Sequence, residues 1–177
     1  RGTVAAYIPA LARVTPSAFA IAIVLADGET VAAGEADSQF SIQSISKVFT
    51  LGIALGRHGN ALWERVGREP SSNAFNSIIE LELEDGKPRN PFVNAGALVI
   101  TDALLDGRTP KSTLADIIRF IRAAASDDEI YINDVVAREE NATGFRNHAL
   151  AYFLRSCGNL RNAPELVLGT YCHHCAI

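Results

Sequence analysis

The stretch FSIQSISKVFT, Phe40 to Thr50, sets a lysine three positions after Ser44 on what reads as the opening turn of an apolar helix that continues through Leu51, Ile53 and Leu55. Residues at i and i+3 share a helix face, so the Lys47 amine can reach the Ser44 hydroxyl. That pairing suits a serine nucleophile activated by a lysine base. Eleven serines and three lysines in 177 residues would give roughly 0.2 such Ser-x-x-Lys pairs by chance, and an ordinary solvated lysine is the commoner case. The reading therefore depends on what surrounds the motif.

A chain of 177 residues with 48% hydrophobic content can build a real core, and disorder is not expected. The net charge of −4 supplies no basic face, so nucleic acid is not an expected partner. No apolar run is long enough to span a bilayer, and a membrane is not expected either. Three cysteines cannot all pair within one molecule, and no charged-then-apolar leader opens the sequence. A reducing cytoplasm is the simplest setting. The absence of any methionine suggests a piece of a longer reading frame.

Outward from Ser44, a short helix is expected from Thr3 to Ala12. Two strands, Phe19 to Leu25 and Glu29 to Ala33, meet across Asp27-Gly28, a pair that tolerates positive φ and marks a hairpin. After Ser44, a short helix or turn is expected from Asn60 to Glu69, a helix from Phe75 to Leu83, and a loop over Asp85 to Pro91. A helix from about Asn94 to Leu105 stops near Gly107. The next starts at a Thr109 cap with Pro110 in its first turn and a stripe of Ile117, Ile118, Phe120 and Ile121. Gly144 to Cys157 and Pro164 to Ile177 read as the last helices. Two strands among so many helices make an unfinished sheet, because a lone hairpin is marginal in water.

Three further clusters could carry chemistry. KPRNPFVNAG, Lys87 to Gly96, brings Asn90 and Asn94 to a helix start whose free N–H groups suit an anionic group, unless Asn94 only caps its helix. Glu140 and Asn147 flank a glycine-containing turn and could converge as a receptor for an ammonium group. Cys172-His173-His174-Cys175 invites a metal, but four consecutive helical residues point around most of the circumference. The cysteines are read as packed or free thiols, and no cofactor is expected.

Together these segments resemble the serine-dependent glutaminases, whose fold is that of β-lactamases and penicillin-binding transpeptidases. The resemblance rests on YIPALA (Tyr7 to Ala12), AIAIVLADG, FSIQSISKVFTL, GREPSSNAFNSI, KPRNPFVNAGALVITD, the segment from Ala137 to Asn147, and VLGTYCHHCA, in family order. It implies an α+β fold with helices packed on an antiparallel sheet of which only the N-terminal hairpin is present, in a single partial domain over 1–177. It implies hydrolysis of L-glutamine to L-glutamate and ammonia through an acyl-enzyme. Ser44 matches the nucleophile and Lys47 the base. Tyr7, Gln43, Ser44, Asn94, Glu140, Asn147 and Tyr171 match the substrate-binding set, with Glu140 and Asn147 at the α-amino and carboxylate end. Glu139 stands where family members usually carry serine. The family continues for more than a hundred residues, including half of the oxyanion hole, so these 177 residues alone are expected to be inactive. A homo-oligomer is the expected assembly. The alternatives are another Ser-x-x-Lys hydrolase of the β-lactamase-like class and a non-catalytic, self-associating fragment.

Overall fold

The computed structural model describes residues 3–177, so the first two residues of the expected 1–177 domain lie outside the described residues. Ten elements follow in chain order: α1 Pro9–Ala12, β1 Ala20–Val24, β2 Thr30–Gly34, α2 Ser46–His58, α3 Ile78–Leu83, α4 Asn94–Leu104, α5 Pro110–Ala125, α6 Asp134–Thr143, α7 Phe145–Ser156 and α8 Pro164–Cys175. Every residue of α4 is buried. A helix buried all round must be surrounded, and α2, α7 and α8 pack against it. Leu98, Ile100, Leu104, Ile117, Leu150, Leu154 and Leu168 form the centre of the resulting core.

The helix ends follow local chemistry. Thr109 caps α5 with Pro110 just inside it, as the sequence predicts, and Ser112 completes a reciprocal capping box. Asn133 Oδ1 accepts from Val135 N at 3.1 Å and Val136 N at 3.2 Å, and so opens α6. This helix is absent from the sequence reading, because only Val135, Val136 and Ala137 are apolar before a charged run. Its stability comes from tertiary packing against α8 and α1.

Several boundaries move. The expected Thr3 to Ala12 helix begins only at Pro9, and Ile8 is extended at φ −117° and ψ 117°. A residue before proline is driven out of the helical region by the proline ring, which accounts for the shift. The helix expected from Phe75 starts at Ile78, where the Ser77 hydroxyl accepts from Glu80 N at 3.3 Å. Phe120 leaves the expected stripe and is exposed, whereas Ile117 and Ile121 are buried.

The strands pair antiparallel in the register Ala20↔Gly34, Ile21↔Ala33, Ala22↔Ala32, Ile23↔Val31 and Val24↔Thr30. Gly28 takes φ 92° in the connecting turn. At the far end Gly34 has φ 74°, and a Cβ there would lie 2.0 Å from the Phe19 carbonyl oxygen. All ten strand residues are exposed, so the hairpin stands without a partner on either face among the described residues.

Candidate active site

Ser44 lies in a 3₁₀ turn, Gln43–Ile45, immediately before α2 rather than in its first α-helical turn. Ile42 N donates to the Ile177 carbonyl at 2.8 Å, tying this turn to the second residue beyond α8. Gln43 holds φ 47°, a left-handed conformation that L side chains rarely adopt. Such strain costs about 1–3 kcal/mol and collects at functional sites. The Ser44 side chain is presented to the surface, while Lys47 on α2 is only 4% exposed.

Among the described residues the buried amine has two acceptors. Lys47 Nζ donates to the Phe92 carbonyl at 2.9 Å and to Asn94 Oδ1 at 2.8 Å. The direct Ser44 to Lys47 hydrogen bond anticipated from the spacing is not formed among the described residues, because the amine turns inward to these oxygens. Burial pushes the Lys47 pKa down, against the opposing charges of Cys175 and Glu140.

The loop before α4 presents the first acceptor and the first residue of α4 the second. Asn90 Oδ1 accepts from Phe92 N at 3.0 Å and Val93 N at 3.1 Å, and its Nδ2 donates to Glu69 O at 2.9 Å. Gly96 allows the loop to close on α4, since a Cβ there would sit 2.0 Å from the Asn90 carbonyl oxygen. Asn94 does not cap α4 through its side chain: Val93 holds the N-cap position, and Asn94 Nδ2 donates to Asn147 Oδ1 at 2.8 Å. One line of hydrogen bonds thus runs from Lys47 through Asn94 to Asn147 and fixes both amide orientations.

Glu140 on α6 is 8% exposed, and its Oε2 has no protein partner among the described residues. Burial pushes its pKa up to about 7, while the Lys47 charge and the Gln43 amide act in the opposite direction. Tyr7, in the bend before α1, is 69% exposed. Its phenol pKa is raised by partial burial and then by the Glu140 and Cys175 charges. Tyr171 is almost wholly buried, stands edge-on to His174, and has its pKa raised first by burial and then by the Cys175 and Glu140 charges. Glu139, the departure from the family pattern, pairs with Arg13 at 3.1 Å and so links α6 to the residue after α1.

The structure thus brings Lys47, Asn94 and Asn147 into one hydrogen-bonded line, with Glu140 close enough to act electrostatically on Lys47 and Tyr7. It also adds groups the sequence reading did not assign. The Phe92 carbonyl is a backbone acceptor, invisible to side-chain reasoning. Ser46, Thr101 and His174 form a buried polar cluster behind α2, signalled only by the Cys-His-His-Cys run.

A family model for glutaminases matches residues 2–177. The chain is 60% identical over 177 residues to a glutaminase of Mesorhizobium japonicum, covering 100% of this chain and 56% of that protein. It is 59% identical to a glutaminase of Azorhizobium caulinodans, covering 57% of it. The chain therefore spans about half the length of the curated relatives it matches. Among solved structures, the probable glutaminase ybaS superposes with a TM-score of 0.91 at 36% identity, over 99% of this chain and 57% of that one. Mglu in its tris and glutamate form superposes with a TM-score of 0.90 at 35% identity, over 99% of this chain and 39% of that one. The turn before α2, the buried lysine and its asparagine line thus sit in an architecture shared with these enzymes, and the chain belongs to the glutaminase family.

Proposed function

We propose that this chain contributes the Ser-Lys centre and the amino-acid receptor of an enzyme that hydrolyses L-glutamine to L-glutamate and ammonia. The observation that carries the reading is Lys47, buried on α2 three residues after Ser44, where burial favours the neutral amine over the charged one. A neutral amine keeps one lone pair, and that lone pair is what a general base needs. Ser44 Oγ attacks the side-chain amide carbon as Lys47 takes its proton. The tetrahedral intermediate collapses, the proton passes to the leaving nitrogen, and ammonia departs from a Ser44 ester. Water activated by the same amine then attacks the ester, releasing glutamate and restoring the Ser44 hydroxyl. The Ser44 backbone N–H supplies one oxyanion donor. In substrate-free enzymes such nucleophile-base contacts are often loose, which accommodates the inward-turned amine.

Substrate recognition follows from the unused polar groups. Glu140 Oε2 is a buried acceptor without a protein donor among the described residues, suited to the α-ammonium group. Asn94 occupies Asn147 Oδ1, which leaves the Asn147 Nδ2 donors for the α-carboxylate. Gln43, Tyr7 and Tyr171 complete the assigned pocket, and the bound glutamate of Mglu fits the same ligand class. Residues 1–177 form part of one glutaminase domain in this reading. A cytoplasmic homo-oligomer is the proposed setting, consistent with three unpaired cysteines. No helix among the described residues is long and apolar enough to cross a membrane.

The test uses a protein of the relatives' full length that carries these residues. Ser44→Ala should abolish ammonia release from glutamine with the fold intact, and Lys47→Arg should do the same because guanidinium cannot deprotonate. Turnover of Ser44→Ala above about a hundredth of the parent rate would reject the nucleophile assignment.

A further inference from the structure

The Cys-His-His-Cys run binds no role in the reaction above, yet one of its histidines is fully buried directly behind the nucleophile turn. His174 on α8 has Nδ1 2.9 Å from Ser46 Oγ, at the first residue of α2. Its Nε2 lies 3.1 Å from Thr101 Oγ1 on α4. Ser46, Thr101 and His174 are all inaccessible to solvent.

Proton bookkeeping settles the direction of the Thr101 bond, and a neutral imidazole then orders the others. The Thr101 hydroxyl has one proton, and its oxygen stands 2.8 Å from the Ala97 carbonyl, where two oxygens without a proton between them would repel. Thr101 therefore donates to Ala97 and can only accept from His174. Nε2 must carry hydrogen. A neutral imidazole with hydrogen on Nε2 has a bare Nδ1, which accepts the Ser46 hydroxyl proton. The Ser46 oxygen, having donated, is left to accept from the Cys175 thiol at 3.6 Å.

Charge states agree with this order. Burial, the Lys47 charge and the neighbouring His173 charge push the His174 pKa down to about 3. Burial and the Glu140 charge push the Cys175 thiol up to about 12, against contacts from Ser46 and Tyr171 and the charge of Lys47. Imidazole and thiol are both neutral around pH 7.

We propose that His174 is a positioning residue: its Nε2–H tautomer, bridging Thr101 to Ser46, holds the start of α2 in the one rotation that presents Ser44 outward and Lys47 inward. Ser46 lies between those two residues, so a small rotation at Ser46 displaces both. The Ile42 N to Ile177 O bond fixes the other side of the same turn to the end of α8. The Gln43 strain has to be held by surrounding contacts, and these two tethers supply them. The role in turnover rests on the hydrolase reading; the tautomer does not.

The test has a spectroscopic and a kinetic arm, both in a protein of the relatives' full length carrying these residues. With ¹⁵N-labelled histidine, NMR should show His174 with hydrogen on Nε2, a bare Nδ1, and no titration where surface histidines titrate. Thr101→Val removes the acceptor without changing shape, and the proton should move to Nδ1, whereas Thr101→Ser should keep it on Nε2. In turnover, Thr101→Val and Ser46→Ala should each lower kcat about ten- to a hundredfold at unchanged KM, the range expected for small misplacement of a reacting group, and Thr101→Ser should restore it. An Nδ1–H tautomer in the parent protein overturns the hydrogen-bond order, and parent kcat in both folded hydroxyl-deletion variants overturns the positioning role. If Thr101→Val does not fold, the parent tautomer and Ser46→Ala decide. A parent that never releases ammonia rejects the hydrolase reading, while its tautomer still decides the bond order.

Discussion

Glu140 combines a raised pKa with an oxygen unpartnered among the described residues, and the consequences divide between stability and binding. A native carboxyl that holds its proton to about pH 7, against an ordinary 4.5, binds more protons than the unfolded chain between those values. Stability therefore falls as pH rises through that window, by at most about 1.4 kcal/mol per unit. Glu140→Gln removes this penalty, so its melting temperature should gain on the parent above pH 7 and not below pH 4.5. Binding moves in the other direction. Only the ionised carboxylate attracts an α-ammonium group, so the parent KM for glutamine should improve as pH rises through 7, and the Gln variant should lose that dependence. N-acetylglutamine should be a poor substrate for the parent and lose far less of its relative rate in the variant. An unchanged ratio of specificity constants would reject the receptor role.

Asp102 shows how a helix-scale joint is built. This fully buried carboxylate on α4 accepts from Arg65, from Arg161 N at 3.1 Å, from Asn162 N at 2.8 Å and from Asn162 Nδ2 at 2.9 Å. Arg65 in turn donates to the Asn159 carbonyl at 2.8 Å, and Asn159 Nδ2 donates to Gly86 O at 2.9 Å. The joint therefore clamps α4, the segment after the Gly59–Glu64 turn, and the loop before α8. Removing one member strands the others, with Arg65 already largely covered. Asp102→Ala should cost about 3–5 kcal/mol, read as the loss in denaturant midpoint at constant m-value. A loss below about 1 kcal/mol would place the joint among ordinary surface pairs.

At the scale of the molecule the two sides differ. The helical side closes around α4, whereas the side bearing the hairpin leaves Phe19, Ile21, Ile23, Val24 and Val31 exposed, together with Phe40, Ile45 and Val48 near the site. Unpaired strand edges and continuous apolar surface promote association. These 177 residues, tested by themselves, should release no ammonia from glutamine and should self-associate or pack loosely. The family resemblance implies a second oxyanion donor outside these residues, and losing one donor costs about a hundred- to a thousandfold in rate. A monomer by light scattering that melts cooperatively and turns over glutamine would refute this.

Local chemistry in the sequence was sufficient for the hairpin, whose turn residues tolerate positive φ, for the α5 cap, and for the extent of α4, expected from about Asn94 to Leu105 and found over Asn94–Leu104. Motif order was sufficient to identify the glutaminase family and to nominate Ser44, Lys47, Asn94, Glu140 and Asn147. Tertiary structure alone decided what those side chains touch. The Phe92 carbonyl that takes the Lys47 proton donor is a backbone atom 45 residues away, and the Asn94 to Asn147 bond spans 53. No periodicity encodes such contacts. Helix α6 escaped for the same reason: its few apolar residues carry a weak local signal, and packing against α8 supplies the stability that propensity does not. His174 makes the distinction plainest, since its neighbours in sequence suggest a metal while Ser46 and Thr101, brought together by folding, give it a hydrogen-bonding place between two helices.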